Sequence, residues 1–283
     1  MLFVVMCPLC HIYALTLSTH KLHCFTVQSS QIHAKGSENM QNRLEKPSKV
    51  SLSLCDNTSR MGIVGIFNTC MDLATEHGDM LGLGMAELAK KDLIWLAVKT
   101  KIKIIRRPDM LQSIVSSTWP LQPEKVRCNR CYLITDKDGN TLIEGKTEWA
   151  MLNIKTGRPS KADGIFPEEL IYFDKDVCGE GFFRLSTDFT DCETLGSHTA
   201  TSSDIDVSQH MNNVAYVRAV LGAFSTREVE DMDISEMEIA YRLQCFEGEN
   251  LTLRKRTAEN GMEIGVIKQD GKTAAVVRIT CKQ

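Results

Sequence analysis

Apolar residues at Ile63, Phe67, Met71 and Ala74 recur at helical spacing, which predicts an amphipathic helix. The turn-like "CDNTSR" before it offers Asp56, Asn57, Thr58 and Ser59 as helix caps. The pattern then changes period. "IWLAVKTKIKIIRRP" alternates, with Ile94, Leu96, Val98, Ile102 and Ile104 expected on one strand face, Lys99, Lys101 and Lys103 on the other, and Pro108 ending the run. "SIVSSTW" follows, then "RCYLITDKDGNTLIEGKTEWAMLNI", two long strands joined at Asp138-Gly139, a strong hairpin signal.

The same order then returns. Val214, Val217, Leu221 and Phe224 predict a second helix, followed by the strand-like "EMEIAYRLQCF", "NLTLRKRTA" and "MEIGVIKQDGKTAAVVRITCK" with a hairpin at Asp270-Gly271. One helix followed by long antiparallel strands, twice over, places each helix against a curved sheet, an α+β arrangement. The domain boundaries expected from this are an extension over 1–48, a first domain over 49–157, a linker rich in Gly, Pro and charge over 158–177, and a second domain over 178–283.

Composition narrows the function classes. The chain is 43% apolar and 24% charged, ordinary for a soluble globular protein, and a net charge of −3 with no basic tract interleaved with aromatics excludes nucleic acid. Eleven cysteines, an odd number in 283 residues, read as reduced thiols rather than a disulfide framework. Of two C-x-x-C pairs, Cys7/Cys10 and Cys128/Cys131, the second lies in a strand-like run, where positions three apart face opposite ways and cannot pinch a metal. No metal site is expected. The first 37 residues have only Lys21 and Lys35 as formal cations and no arginine, and their apolar part is too short and interrupted to span a membrane. The expectation is a disordered extension or a start placed too early, with Met40 as the true beginning; a transit peptide is the alternative.

Polar chemistry gathers in "DIDVSQHMNNVAYV", Asp204 to Val217, at the predicted start of the second helix. Asp206, Ser208 and His210 fall at alternate positions and run into Asn212, Asn213 and Tyr216. "YRLQC", Tyr241 to Cys245, follows further on. With "ATEHGDMLGLGMAEL", "IWLAVKTKIKIIRRPDM", "STW" and "EWAMLNIKTGRPSK" in the first half, these segments resemble the acyl-acyl-carrier-protein thioesterases of plant plastids and bacteria, from about residue 50 to the end. The resemblance implies two tandem hotdog domains, an acyl-chain pocket in the first, catalytic residues in the second, and release of a free fatty acid from acyl carrier protein. Two positions depart from the family pattern: its asparagine is Ser208, and the glutamate often found before the cysteine is Gln244. Serine retains an orienting hydrogen bond, whereas glutamine cannot be a general base.

Thioester hydrolysis needs a nucleophile, a proton shuttle and oxyanion donors. The resemblance makes Asp206, Ser208, His210, Gln244 and Cys245 the candidate catalytic set. His210 is the shuttle, Asp206 fixes its tautomer or activates water, Ser208 orients, and the helix start supplies N–H donors at a positive dipole end. Two routes stay open: Cys245 attacks as a thiolate with His210 as its base, toward which the loss of the glutamate at Gln244 tilts the balance, or Asp206 and His210 deliver water. Taken singly, each residue also has a structural reading: Asp206 and Asn212 as helix caps, His210 as a hydrogen-bonded structural histidine, Cys245 as a small core residue in an apolar strand. Asn213 and Tyr216 read as structural.

Met71, Trp95 and Trp119 are candidate walls of the acyl tunnel. Acyl carrier protein is acidic, so two basic groups are candidate docking surfaces: Lys99, Lys101, Lys103, Arg106 and Arg107, and Arg254, Lys255 and Arg256. No cofactor is expected, since no glycine-rich phosphate loop follows a strand and hydrolysis requires only water. Further expectations are a bacterial cytoplasmic location, or the plastid stroma if the extension is a transit peptide, and self-association as a homodimer. Rival readings are an acyl-CoA thioesterase of the same fold, a hotdog protein that binds acyl chains or carrier without turnover, and, more weakly, a hotdog dehydratase.

Overall fold

A computed structural model describes residues 42–162 and 164–282, with the backbone alone of two short paired strands, β1 (Val4–Cys7) and β2 (Cys10–Ala14). The expectations about residues 1–41, including the start at Met40 and the pair Cys7/Cys10, lie outside the described side chains.

The first half runs β3 (Leu44–Lys49), α1 (Ile63–Met80), α2 (Met85–Ala89), β4 (Leu93–Ile104), β5 (Ser113–Pro120), β6 (Arg127–Asp136) and β7 (Thr141–Asn153), with β8 (Arg158–Ser160) appended to β7. The second runs β9 (Glu193–Thr199), α3 (Asn213–Leu221), α4 (Thr226–Asp231), β10 (Ile234–Tyr241), β11 (Asn250–Ala258), β12 (Gly261–Ile267) and β13 (Thr273–Cys281). All pairings are antiparallel, and the sheet order is β3-β5-β6-β7-β4-β10-β13-β12-β11-β9. Read outward from the β4·β10 seam, both halves have the same strand order, so the repeat in the sequence is a repeat in topology. This is the tandem hotdog expected: α1 and α3 touch each other on one face of a single continuous sheet.

That inner face holds the main core, with Ile66, Phe67 and Cys70 of α1 and Val214, Val217 and Val220 of α3 meeting Ile102, Met237, Ile239 and Val277 from the strands. Buried apolar area of this kind is the principal stabilising term, about 25 cal/mol per Å². The hairpins fall where the turn residues placed them: Gly139 and Gly271 take φ of +84° and +81°, which a side chain would resist.

Four local expectations differ from the structure. β3 lies inside the stretch assigned to the extension and pairs with β5 from Leu44↔Thr118 to Lys49↔Ser113, so the first half begins ahead of residue 49. The cap of α1 is Gly62, not a residue of 56–59; Asp56 instead accepts from the Thr58 N–H at 3.0 Å and pairs with Arg107. The alternation of β4 is broken by a bulge between Ala97 and Lys99, so Leu93, Trp95 and Ala97 share the face of Ile102 and Ile104, opposite to the side taken by Ile94 and Leu96. Phe224 falls beyond the end of α3, whose C-cap is Gly222.

The linker is not a free tether. Beyond β8 the described residues run irregularly to residue 192, past the expected linker end at 177, placing Phe166 and Leu170 against Leu83 and Met151, and Leu185 and Phe189 against Ala240 and Val276 on the outer sheet face. Cys128 and Cys131 belong to different apolar clusters on opposite faces of β6. No helix among the described residues is long and apolar enough to cross a membrane.

Candidate functional site

The polar stretch forms a tight loop between a 3-10 turn (Ser202–Asp204) and α3. Asp204 anchors its start: its carboxylate accepts from the Thr201 N–H (2.9 Å) and hydroxyl (3.0 Å) and lies 3.0 Å from His198 Nε2. Its carbonyl receives the Asn212 N–H at 2.7 Å. Within the loop the Asp206 N–H donates to the His210 carbonyl (3.2 Å) and the Gln209 N–H to the Asp206 carbonyl (2.9 Å), with Gln209 in the left-handed region at φ 64°. Asn212 caps α3, its side-chain oxygen accepting from the Val214 N–H at 2.8 Å.

The Asp206 carboxylate is committed within the loop. One oxygen accepts from the Ser208 N–H (2.8 Å) and the Ser208 hydroxyl, the other from the Asn212 amide (3.2 Å). It makes no hydrogen bond to His210, so the tautomer-fixing role expected of it falls elsewhere. His210 Nδ1 lies 3.3 Å from the Met211 carbonyl, and since a carbonyl only accepts, Nδ1 is the donor there and Nε2 is the ring nitrogen left uncommitted. The His210 ring is half-buried.

Cys245 is in a loop after β10, not in a strand, and is fully buried. Its carbonyl receives the Met211 N–H at 2.8 Å, which brings it beside the polar loop by backbone, not side chain. Burial pushes the thiol up; the Tyr216 hydroxyl and Lys268 ammonium pull against this and Glu249 adds to it, leaving the net shift upward. Among the described residues, no hydrogen bond joins the thiol to His210. Gln244 is held by its carbonyl, which accepts from Lys268 Nζ at 2.8 Å. Tyr216 donates to the Leu243 carbonyl (3.1 Å) and Tyr241 to the Asn213 carbonyl (3.3 Å), tying α3 to the end of β10.

The first half carries a twin of this loop. Asp56 N–H donates to the Arg60 carbonyl (3.0 Å), Ser59 N–H to the Asp56 carbonyl (3.1 Å) with φ 58°, and Met61 N–H to the Pro108 carbonyl (2.9 Å). Asp56, Thr58, Arg60, Arg107 and Pro108 thus stand where the second half has Asp206, Ser208, His210, Gln244 and Cys245. Only the second loop holds an imidazole, and only it has a cysteine where the strap of the first has Pro108; in the first, Arg107 closes on Asp56.

Other expected site residues are dispersed. Met71 packs against the main core, and Trp95 lies with Leu83 and Phe166, its Nε1 3.3 Å from the Leu83 carbonyl. Trp119 is on the opposite face of β5, beneath the linker, donating to the Lys175 carbonyl at 2.7 Å, so it walls no pocket on the inner face. Lys101 is 3% exposed and lies 3.1 Å from Glu238, its cross-strand partner, which removes it from any docking surface. Lys99 sits over the Phe182 ring and Arg107 pairs with Asp56, leaving Lys103 and Arg106 exposed. Arg254 donates to the Phe189 and Thr190 carbonyls, Lys255 lies 3.5 Å from Glu193, and Arg256 pairs with Glu263 and reaches the Asp188 carbonyl. That group spends its charge inside the fold.

A polar cluster on the inner face of the first half was not anticipated. Arg130, 7% exposed, donates to Thr118 Oγ1 at 3.3 Å and lies 3.1 Å from His77 Nδ1, with no carboxylate in ion-pair range among the described residues. Nearby on that face are the Thr100–Thr147 hydroxyl pair (3.0 Å) and Tyr132. The signal was present in "CNRCYLI", where Arg130 alternates in phase with Cys128, Tyr132 and Ile134.

Comparison with known proteins agrees with this architecture. Residues 42–168 match the family described as acyl-ACP thioesterase N-terminal domain, and residues 192–283 the acyl-ACP thioesterase C-terminal domain. A palmitoyl-acyl carrier protein thioesterase, chloroplastic, from Arabidopsis thaliana is 29% identical over 222 residues, covering 73% of this chain and 52% of the relative. An acyl-[acyl-carrier-protein] hydrolase, chloroplastic, from Cuphea viscosissima is 29% identical over 192 residues, covering 64% of this chain and 46% of the relative. The chain therefore spans about half the length of these curated relatives. Among solved structures, an acyl-ACP thioesterase from Bacteroides thetaiotaomicron superposes with TM-score 0.77 at 20% identity, covering 87% of this chain and 100% of the other. The 12:0-ACP thioesterase from Umbellularia californica gives 0.74 at 19% identity, covering 85% and 97%. These two likenesses establish the fold.

Proposed function

Because the chain belongs to the acyl-ACP thioesterase family, we propose that it hydrolyses the thioester of a fatty acyl group carried on acyl carrier protein, releasing the free acid and ending chain elongation. The observation that carries this reading is the asymmetry between the two twin loops. Only the second holds an imidazole, with Nδ1 on the Met211 carbonyl and Nε2 open, at the start of a helix whose positive dipole end favours a developing oxyanion.

The route is attack by water. His210 Nε2 takes the proton of the attacking water, and the loop carboxylate of Asp206, held by Ser208 and Asn212, stabilises the imidazolium that forms. The water oxygen bonds to the acyl carbon, the carbon–sulfur bond breaks, and the imidazolium returns its proton to the departing thiolate. Cys245, buried and with its thiol shifted upward, is poorly suited to attack. Gln244 cannot act as a base. The carrier protein is the proposed partner. The seam between β4 and β10 already unites two hotdogs in one chain, so a homodimer is an additional expectation and not a requirement of the site. The eight cysteines among the described residues are free thiols, in keeping with a reducing compartment; the plastid stroma is the location the plant relatives' names suggest, with the bacterial cytoplasm as the alternative.

The test is thiol release from palmitoyl- and octanoyl-acyl carrier protein and the matching coenzyme A esters by the full chain. Faster release from the carrier esters supports the proposal, and faster release from coenzyme A esters replaces it with the acyl-CoA reading. A folded chain that binds acylated carrier without releasing thiol is a binding protein.

A further inference from the structure

With the two basic groups expected from the sequence largely consumed in internal pairs, one cationic feature remains beside the loop that bears Cys245. A groove of about 420 Å³ on the outer face is lined by Arg184, Leu185, Ser186 and Thr187 of the linker and by Arg242, the first residue after β10. Among the described residues, neither guanidinium has an ion-pair or side-chain hydrogen-bond partner, and the Nε of Arg242 is buried with nothing to donate to. Arg184 is exposed and Arg242 is half-buried; two guanidiniums lining one groove with no carboxylate beside them attract an anion, and their forked donors match phosphate oxygens. Arg242 precedes Cys245 by three residues, which places the two backbones within about 11 Å of each other. The Met211 N–H on the Cys245 carbonyl then connects this stretch to His210.

We propose that Arg184 and Arg242 bind the phosphate ester of the substrate's pantetheine arm, with the arm running from this groove toward His210. The assignment rests on the thioesterase reading, since it identifies what carries the acyl group to that site. The chemistry is shared by two sources, the phosphodiester of a carrier protein's prosthetic group and the phosphates of coenzyme A. Linker residues thereby take part in recognition: Arg184 reaches the groove because Leu185 is fixed on Ala240 and Val276.

The experiment compares the full chain with Arg184→Gln and Arg242→Gln on three thioesters of one acyl length, carried on acyl carrier protein, on coenzyme A, and on N-acetylcysteamine, which has no phosphate. KM for both phosphate-bearing substrates should rise roughly tenfold per variant, the loss expected of a charge-assisted hydrogen bond, with kcat little changed. The N-acetylcysteamine ester should be hydrolysed as by the parent. An equal loss on all three substrates overturns the proposal, because it reports a disturbed fold. A loss confined to the carrier substrate overturns it too, since the arginines would then meet the carrier's protein surface. Calorimetric binding of 4′-phosphopantetheine, weakened in both variants and by added salt, tests the groove without turnover. Binding unchanged in both variants would refute it even if the chain hydrolysed no thioester.

Discussion

The Met211 N–H donates to the Cys245 carbonyl at 2.8 Å, and in the other half the Met61 N–H donates to the Pro108 carbonyl at 2.9 Å. The same backbone strap therefore closes both loops, once with a cysteine as acceptor and once with a proline, which shares nothing with cysteine except its carbonyl. What position 245 provides to the loop geometry is a main-chain oxygen. Its side chain is free to be a buried filler, and the twin shows that the strap needs no thiol.

This separates His210 from Cys245 experimentally. His210→Ala should lower kcat by about a hundredfold or more, the usual contribution of a positioned acid–base group, with the thermal midpoint nearly unchanged because the ring is half-buried and holds one hydrogen bond. Cys245→Ala should keep activity within about tenfold of the parent, since a buried thiol with its pKa shifted upward supplies little thiolate at neutral pH. Steady-state kinetics on one acyl-carrier substrate decides the matter. A Cys245→Ala loss as large as that of His210→Ala would restore the covalent route.

Asp206 is predicted to act through the loop. Asp206→Asn keeps an acceptor for Ser208 but replaces the loop's carboxylate with a neutral amide, so kcat should fall while KM changes little. Ser208→Ala removes one hydroxyl donor to a carboxylate that retains two other donors, and should cost less than Asp206→Asn. An unchanged kcat in Asp206→Asn would remove the carboxylate from the mechanism.

Much of this could be read from the chain because period carries fold. Ile63 to Ala74 announced α1, Asp138-Gly139 and Asp270-Gly271 announced the hairpins, and the recurrence of helix then strands announced the two hotdogs. The site residues stood together because a loop followed by a helix N-terminus is a local structure, written in consecutive positions. What escaped was long-range. The bulge between Ala97 and Lys99 is invisible to an alternation rule, and it reverses which side Leu93 and Trp95 occupy. Lys101 looked like a solvated strand residue because nothing in its own segment shows Glu238 opposite it. Trp119 and Arg254 were misjudged for one shared reason: the linker that covers them is distant in sequence and has no period of its own.

The Lys101–Glu238 pair at the β4·β10 seam yields a stability prediction. Both side chains are 3% exposed or less, so removing one partner leaves a charge in a dry site. Lys101→Met should destabilise the chain by about 3–5 kcal/mol, while Lys101→Met with Glu238→Met should recover most of that loss. Denaturant unfolding of the single and double variants measures the coupling. Losses that simply add would mean that the pair does not hold the seam.

Asp204 gives the last prediction, in which stability depends on pH. Burial pushes its carboxyl up, but the Thr201 N–H and hydroxyl and His198 outweigh this, and the net shift is downward. A carboxyl held below its unfolded value binds protons less readily in the native state, so it stabilises the fold at pH values above the ordinary carboxylate range. That contribution disappears as pH falls through the lowered native value. Asp204→Asn should therefore destabilise the protein at pH 7 by about 1–3 kcal/mol, the range for a lost charged acceptor of several hydrogen bonds. The gap between parent and variant should close as both are acidified below the native value of this group. Because the Asp204 carbonyl holds the Asn212 N–H at the cap of α3, the loss should be accompanied by increased amide exchange across residues 205–212 ahead of global unfolding. A parent–variant gap that stays constant from neutral pH to strongly acidic conditions would mean that the carboxylate charge contributes nothing and that Asp204 serves the loop through its backbone alone.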